Sequence, residues 1–230
     1  MAQGDVLADL RVALGQLQAT TAVHGSLDVT STLTSNEEER PDTGKTTVGF
    51  DVSDAGLRIL YPHATLALAS EEARGEATDP ERATPTRSGL GRVRALDVAE
   101  LLDGAGALAV ILQNSQLVET KPASYRGKPS RLVLLKLIPK LSKAANKHMK
   151  KLDSTLSIWL GDDGVPIAAE RSTYWKASFL LIGFEDDRKL SWTYARIGDR
   201  LIVTRYEESE KSDGLGQHTS SQSTEVVRIE

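Results

Sequence analysis

The chain has no cysteine among its 230 residues, which removes disulfides, thiolate metal sites and cysteine nucleophiles. Aromatic residues are scarce at 5%, so within a hydrophobic total of 40% the core must be built mostly from Leu, Val, Ile and Ala. Charge of neither sign dominates. The formal net charge is −4 and the pI is near 5.7, which argues against a general nucleic-acid binder. No apolar run approaches the roughly 18 residues that a membrane-spanning helix needs. Catalytic signatures are missing too: there is no GxSxG elbow and no phosphate-cradling GxxxxGKS/T, and SGLGR at 88–92 has no strand before it. The four histidines, His24, His63, His148 and His218, never fall at the i, i+4 spacing of a helical metal pair. They read as surface or loop residues. The expectation is a protein without metal, cofactor or catalytic centre.

What is present is alternation. In AVHGSLDVTSTLT, Val23, Leu27, Val29 and Leu33 occupy odd positions and polar residues the even ones, the mark of a half-buried strand. TTVGFDVS repeats it with Val48, Phe50 and Val52; Asp54-Ala55-Gly56 is a turn, and LRILYP, carrying Ile59 and Tyr61, is a third strand. Further strands are predicted in QLVETKPASY and in SRLVLLKLIP, where consecutive Leu132–Leu135 imply that both faces are covered. In LSIWLGDDGVPIAAE, Leu156 and Ile158 lead into a Gly-Asp-Asp-Gly reversal and Ile167 resumes the pattern. KASFLLIGFE, KLSWTYARI, RLIVTRYEES and TEVVRIE complete the series, with turns at Asp186-Asp187 and Gly198-Asp199. The total is about ten strands with short connections, hence antiparallel neighbours, and so wide a sheet should curl.

Helical spacing marks residues 5–20, through Val6, Leu7, Leu10, Ala13, Leu14 and Leu17. HATLALASEEAR predicts a second helix. LDVAELLDGAGALAVILQN predicts a third, N-capped at Asp97 with Glu100 three residues on, and broken at Gly104 and Gly106. Together these form a helical lid over about 63–115, with polar loops at about 35–45, 75–94 and 207–222. The acidic runs at 37–39 and 207–213 read as solvated loops. KLSKAANKHMKKL predicts a short basic helix. Its Lys143, Lys147, Lys150 and Lys151, with Lys140, suit either a solvated face or docking to an anionic membrane surface or an acidic partner. No linker divides residues 1–230 into separate domains.

The order of these elements resembles the LolA/LolB family of bacterial lipoprotein carriers and related lipid-binding envelope lipoproteins. The likeness lies in LQATTAVHGSLDVT after a helix, GLRILYP before helical material, LDVAELLDG, SYRGKPSRLVLLKLIPK and LSIWLGDDGVPIAAERS. It covers most of residues 5–205; after Glu185 the chain departs from it, and the family's lipidation cysteine is lacking. The resemblance implies an α+β fold, mainly antiparallel β: an incomplete, strongly curved β-barrel covered on its concave side by an N-terminal helix and an inserted helical lid. It implies a hydrophobic cavity for lipid or for the acyl chains of a lipoprotein. The candidate lining is Leu27, Val29, Leu33, Val48, Phe50, Val52, Ile59, Tyr61, Leu101, Leu108, Leu112, Leu134, Leu156, Ile158 and Ile167. It also implies the periplasm or cell envelope. The N-terminus MAQGDVLADL shows no basic segment followed by an apolar one, so a protein of that compartment would be a mature chain whose leader has been removed; a cytoplasmic protein is the other expectation. A non-enzymatic envelope sensor or protein-interaction module on the same fold is the competing expectation.

Overall fold

Short turns between alternating segments leave antiparallel pairing as the available topology. The computed structural model describes residues 6–179 and 182–230. Its elements are α1 (Val6–Gly15), β1 (Val23–Ser35), β2 (Asp42–Ser53), β3 (Gly56–Leu60), α2 (His63–Glu76), α3 (Pro85–Gly91), α4 (Ala95–Leu102), α5 (Gly104–Leu112), β4 (Ser115–Tyr125), β5 (Lys128–Leu137), α6 (Lys143–His148), β6 (Met149–Leu160), β7 (Pro166–Phe179), β8 (Ile182–Ile197), β9 (Arg200–Gly214) and β10 (Gln217–Ile229). The strands form one antiparallel sheet in the order β3-β2-β1-β10-β9-β8-β7-β6-β5-β4. Strands adjacent in the sheet are consecutive in sequence except where β1 meets β10, so the first and last strands are paired. The class is α+β, and β3 and β4 remain unpaired edges, so the sheet does not close into a barrel.

The sheet bends around one hydrophobic cluster. Val48 and Phe50 of β2 belong to it, and so do Val133 and Leu135 of β5, seven places away in the strand order. A flat sheet would hold those strands about 33 Å apart. The helices fill the bend: α4 packs on both β3 and β9, α5 on β9, and α1 on α5. Leu7, Leu10 and Leu14 of α1 are buried there, and Arg11 Nη2 donates to the Leu112 carbonyl at 3.1 Å, tying α1 to the end of α5. Arg200, at the start of β9, reaches both the Thr21 carbonyl and, at 3.3 Å, the Leu102 carbonyl. Asp199 in the β8–β9 turn accepts from the amides of Thr20 and Thr21 at 2.9 and 2.8 Å and from both hydroxyls at 2.5 Å. Those bonds hold its carboxyl well below the usual carboxylate range.

On the outer side of the sheet, the tip of the β4–β5 hairpin folds back. Tyr125 packs 5.5 Å from Trp159 and its hydroxyl lies 3.3 Å from Thr193 Oγ1 of β8. At the edge, β4 carries exposed Leu117 and Val118, a register shift between Leu117 and Glu119, then Lys121 and Pro122.

Several predicted boundaries are corrected. The first helix ends at Gly15, not near 20. The expected loop at 207–222 is the polar half of the β9–β10 hairpin, joined by Leu215-Gly216 with φ of 55° and 80°; two positive φ values are what a tight hairpin turn needs. The expected loop at 35–45 shortens, because β2 starts at Asp42, and that at 75–94 contains α3. Asp186-Asp187 is not a turn but the interior of β8, opposite Trp175 and Tyr174; KASFLLIGFE is divided between β7 and β8, with residues 180–181 outside the described residues. In β5 only Val133, Leu135 and Leu137 are buried, while Leu132 and Leu134 are half-buried on the other face. Asp97 lies inside the first turn of α4, whose N-cap is Arg94; the break before Gly104 is capped instead by Asp103, which accepts from the Gly106 amide at 3.0 Å. The basic helix covers only Lys143–His148.

Close backbone approach explains how α3 sits on β2. A Cβ on Gly89 would come within 2.7 Å of the Lys45 backbone, and one on Gly44 within 2.9 Å of the Gly89 amide. The start of α3 is held by buried Glu72 of α2, which accepts from the Thr86 and Arg87 amides at 3.1 and 2.9 Å. This anchors the second half of α2. Its first half stands out from the molecule with Leu66 and Leu68 exposed, next to exposed Leu60 and Tyr61.

Candidate functional site

Strand register sets what the inner face presents, because side chains two apart share a face. Along each central strand that face changes from apolar to polar. On β6 it runs Ile158, Leu156, Ser154; on β7 Ala169, Arg171, Thr173; on β8 Tyr194, Trp192, Leu190, Arg188, Asp186. On β9 it runs Val203, Tyr206, Glu208, Glu210, and on β10 Val227, Glu225, Ser223. The apolar half lies under α4 and α5. The polar half was not foreseen from the sequence.

A cleft of about 710 Å³ opens where these halves meet, a size common for small-molecule sites. Leu101, Leu108, Val110 and Ile111 form the helical wall, and Leu190, Trp192, Tyr194, Val203 and Tyr206 form the floor. The helix break positions that wall. Gly104 admits α5 against the sheet, since a Cβ there would meet the Leu201 carbonyl at 2.9 Å and the Tyr194 ring at 3.0 Å. Trp192 and Tyr206 pack with centroids 6.0 Å apart. Burial raises the phenol pKa of both Tyr194 and Tyr206, so both hydroxyls stay protonated in the neutral range.

Four arginines and four carboxylates also line the cleft. Glu225 of β10, Glu208 of β9, and Asp97 and Glu100 of α4 stand on one side with Arg92 and Arg94. Arg94 Nε bonds Asp97 at 2.7 Å. Burial, and then the charges of Asp97 and Glu208, push the Glu225 carboxyl up to about 7, with Arg92 and Arg94 opposing. Arg171 and Arg188 stand on the other side, on β7 and β8. Arg188 Nη2 meets Glu208 at 2.5 Å, and Glu208 also accepts from the Tyr206 hydroxyl at 3.1 Å. Arg171 has no carboxylate partner among the described residues. Its Nε donates to Thr173 Oγ1 at 3.2 Å, and Thr173 is bonded in turn to buried Ser154 at 2.8 Å. Burial and the adjacent Arg188 charge lower the pKa of the Arg171 guanidinium. Deeper in the polar half, burial and Glu210 raise Asp186 to about 6.

Of the expected lining residues, Leu101 and Leu108 border this cleft. Leu27, Val29, Val48, Phe50, Leu112, Leu156 and Ile158 are buried in the core cluster, and Val52 and Ile59 pack against it. Leu33, Leu134 and Ile167 are half-buried outside that cluster, and Tyr61 is exposed at the end of β3. Leu134 is displaced by parity: the inward residues of β5 are Val133 and Leu135. The lysines do not share a helix face. Lys143 and Lys147 are on α6, whereas Lys150 and Lys151 are on β6, with Lys151 paired to Asp153 at 3.5 Å and 4.9 Å above the Tyr174 ring. Arg171, Arg188, Trp192, Tyr206, Glu208 and Glu225 were missed. The available signal was a charge arriving in the inward register, as when Arg171 follows Ala169. No group of three metal-ligating side chains comes together among the described residues, and no helix there is long and apolar enough to cross a membrane.

No family model matches the chain, and no curated protein matches it. Among solved structures, the crystal structure of MucB in complex with MucA(peri) aligns over 96% of this chain and 94% of that chain, at 10% identity and a TM-score of 0.25. A score that low does not show a shared fold.

Proposed function

We propose that the protein is a non-enzymatic carrier that shelters an acyl chain in the cleft between the α4–α5 pair and the floor of β8 and β9. The observation that carries this reading is the apolar part of that cleft's lining, Leu101, Leu108, Val110 and Ile111 on the helices facing Leu190, Trp192, Tyr194, Val203 and Tyr206 on the floor, with charged side chains around it. Each methylene taken out of water is worth about 0.8 kcal/mol, so a chain of a dozen carbons binds well without directional chemistry. The break at Asp103-Gly104 divides the covering wall into two short helices, which suits admission of a flexible tail. In the finer form of this proposal, the ligand is a lipid or the acyl group of a lipoprotein, and the compartment is the periplasm or cell envelope, in keeping with the LolA/LolB resemblance.

The test is native mass spectrometry of protein purified without detergent, together with displacement of a fluorescent fatty acid. A bound mass removed by organic extraction, and a Val110→Asp or Leu108→Asp variant that no longer takes up the probe, is the expected result. Wild-type protein that takes up no probe at micromolar concentration refutes the proposal.

The competing reading, a protein-interaction module, draws on the exposed Leu60, Tyr61, Leu66 and Leu68 around the start of α2. It predicts that Leu66→Asp with Leu68→Asp abolishes partner capture and leaves probe uptake unchanged.

A further inference from the structure

Resting on the acyl-binding reading, a second question is which end of a ligand faces which end of the cleft. The inner face answers by its change of character along the strands. A tail lies on Leu190, Trp192 and Val203 under the helices, and the head then points toward the polar half. Two cations meet it there. Arg171 and Arg188 occupy neighbouring strands and the same face, since Arg188 is registered opposite Thr173 and Leu190 opposite Arg171.

The geometry points to a head-group subsite at Arg171 and Arg188 that takes the single anionic group, carboxylate or phosphate, of an amphiphile whose tail lies under α4 and α5. Arg171 is the better placed of the two. Its Nε is fixed by the Ser154–Thr173 hydroxyl pair, and its terminal nitrogens have no protein acceptor among the described residues. A guanidinium held by one edge presents its other N–H groups as a fork, the geometry that suits two oxygens of one anion. Withdrawing that charge from water without an anion is unfavourable, so an arriving oxyanion relieves a cost already built into the fold. Arg188 adds positive charge beside the same point, and Glu208, held by Arg188 and Tyr206, bounds it on the far side. The carboxylates Glu225, Asp97 and Glu100 line the opposite side, where Arg92 and Arg94 oppose the Glu225 charge and Arg94 is already bonded to Asp97.

The test uses a matched pair, 1-palmitoylglycerol and the same molecule carrying a 3-phosphate, each titrated below its aggregation threshold against the whole chain by calorimetry. The expected result is that the phosphate ester binds wild-type protein about tenfold tighter or more, as two charged hydrogen bonds imply. Raising the salt from 50 to 500 mM erodes that preference. Arg171→Met removes the preference while leaving the affinity for 1-palmitoylglycerol within about threefold, and Arg171→Lys, which keeps the charge but not the fork, restores part of it. Wild-type protein that binds both compounds equally overturns the subsite and leaves the acyl reading standing. The same conclusion follows if Arg171→Met retains the preference. Wild-type protein that binds neither compound removes the acyl reading and the subsite with it. Inorganic phosphate that binds wild-type protein as tightly as the ester does, and loses this with Arg171→Met, shows a site for a free anion and overturns the amphiphile. If Arg171→Met fails to fold, the wild-type comparison of the two compounds still tests the subsite.

Discussion

Replacing Glu225 by Gln should remove most of the dependence of stability on pH between 5 and 8. Glu225 is largely buried in the cleft wall and near Asp97 and Glu208, and its pKa rises from 4.5 to about 7. The folded protein therefore holds this proton more tightly than the unfolded chain does. Below about pH 4.5 both states are protonated and the group contributes nothing to pH dependence. Between 4.5 and 7 the unfolded chain ionises first, so stability falls as the pH rises. Above 7 both states are ionised, and the loss is complete at about 3 kcal/mol. From pH 5 to pH 8 that corresponds to about 2.5 kcal/mol. Urea unfolding followed by tryptophan fluorescence at both pH values measures it. The Asp186 carboxyl, raised to about 6, moves stability in the same direction but is common to both proteins, so the difference between them isolates Glu225. Asp97→Asn should shrink the slope as well, by removing the larger of the two charge repulsions that act on Glu225. A Glu225→Gln protein whose pH profile parallels that of wild type would refute the reasoning.

Other perturbations follow from the packing. Leu112→Ala empties a site that is fully inaccessible at the end of α5, and should cost about 2–5 kcal/mol of unfolding free energy, read from urea titration. Gly89→Ala puts a methyl group into the β2 backbone and should destabilise by about 1–3 kcal/mol, with faster proteolysis between residues 63 and 91. Leu215→Asn should raise stability by about 0.5–1 kcal/mol, because Leu215 is an exposed side chain held at φ 55° in a turn that Asn tolerates better.

The alternating strands were legible because burial of one face leaves a period of two: Leu27 and Val29, Val48 and Phe50, Leu156 and Ile158 are all inward. The break at Gly104 was legible as well, since glycine weakens helices wherever they are. The second half of the β9–β10 hairpin was not. Ser, Asp, Lys and Gly are poor strand formers alone, and here pairing on both sides, to β8 and to β1, overrides that preference. The Leu215-Gly216 turn hid in the same way, because leucine seldom occupies a left-handed position. Asp186-Asp187 misled in the opposite sense: two turn-forming residues sit mid-strand. The candidate site was only half visible. Its helical wall followed from hydrophobic spacing, but its charged end depends on which strands neighbour one another, which alternation alone does not specify.

The outermost strand opposite β3 has a consequence for how copies of the protein coexist at high concentration. A free strand with Leu117 and Val118 exposed would ordinarily template further strands from other molecules. The dislocated register at that point, followed by a cation at Lys121 and an imino acid at Pro122 that has no N–H to offer, interrupts the ladder a newcomer would need. Straightening this segment, for instance with Lys121→Val and Pro122→Thr, would turn a self-limiting surface into a nucleus for fibrils.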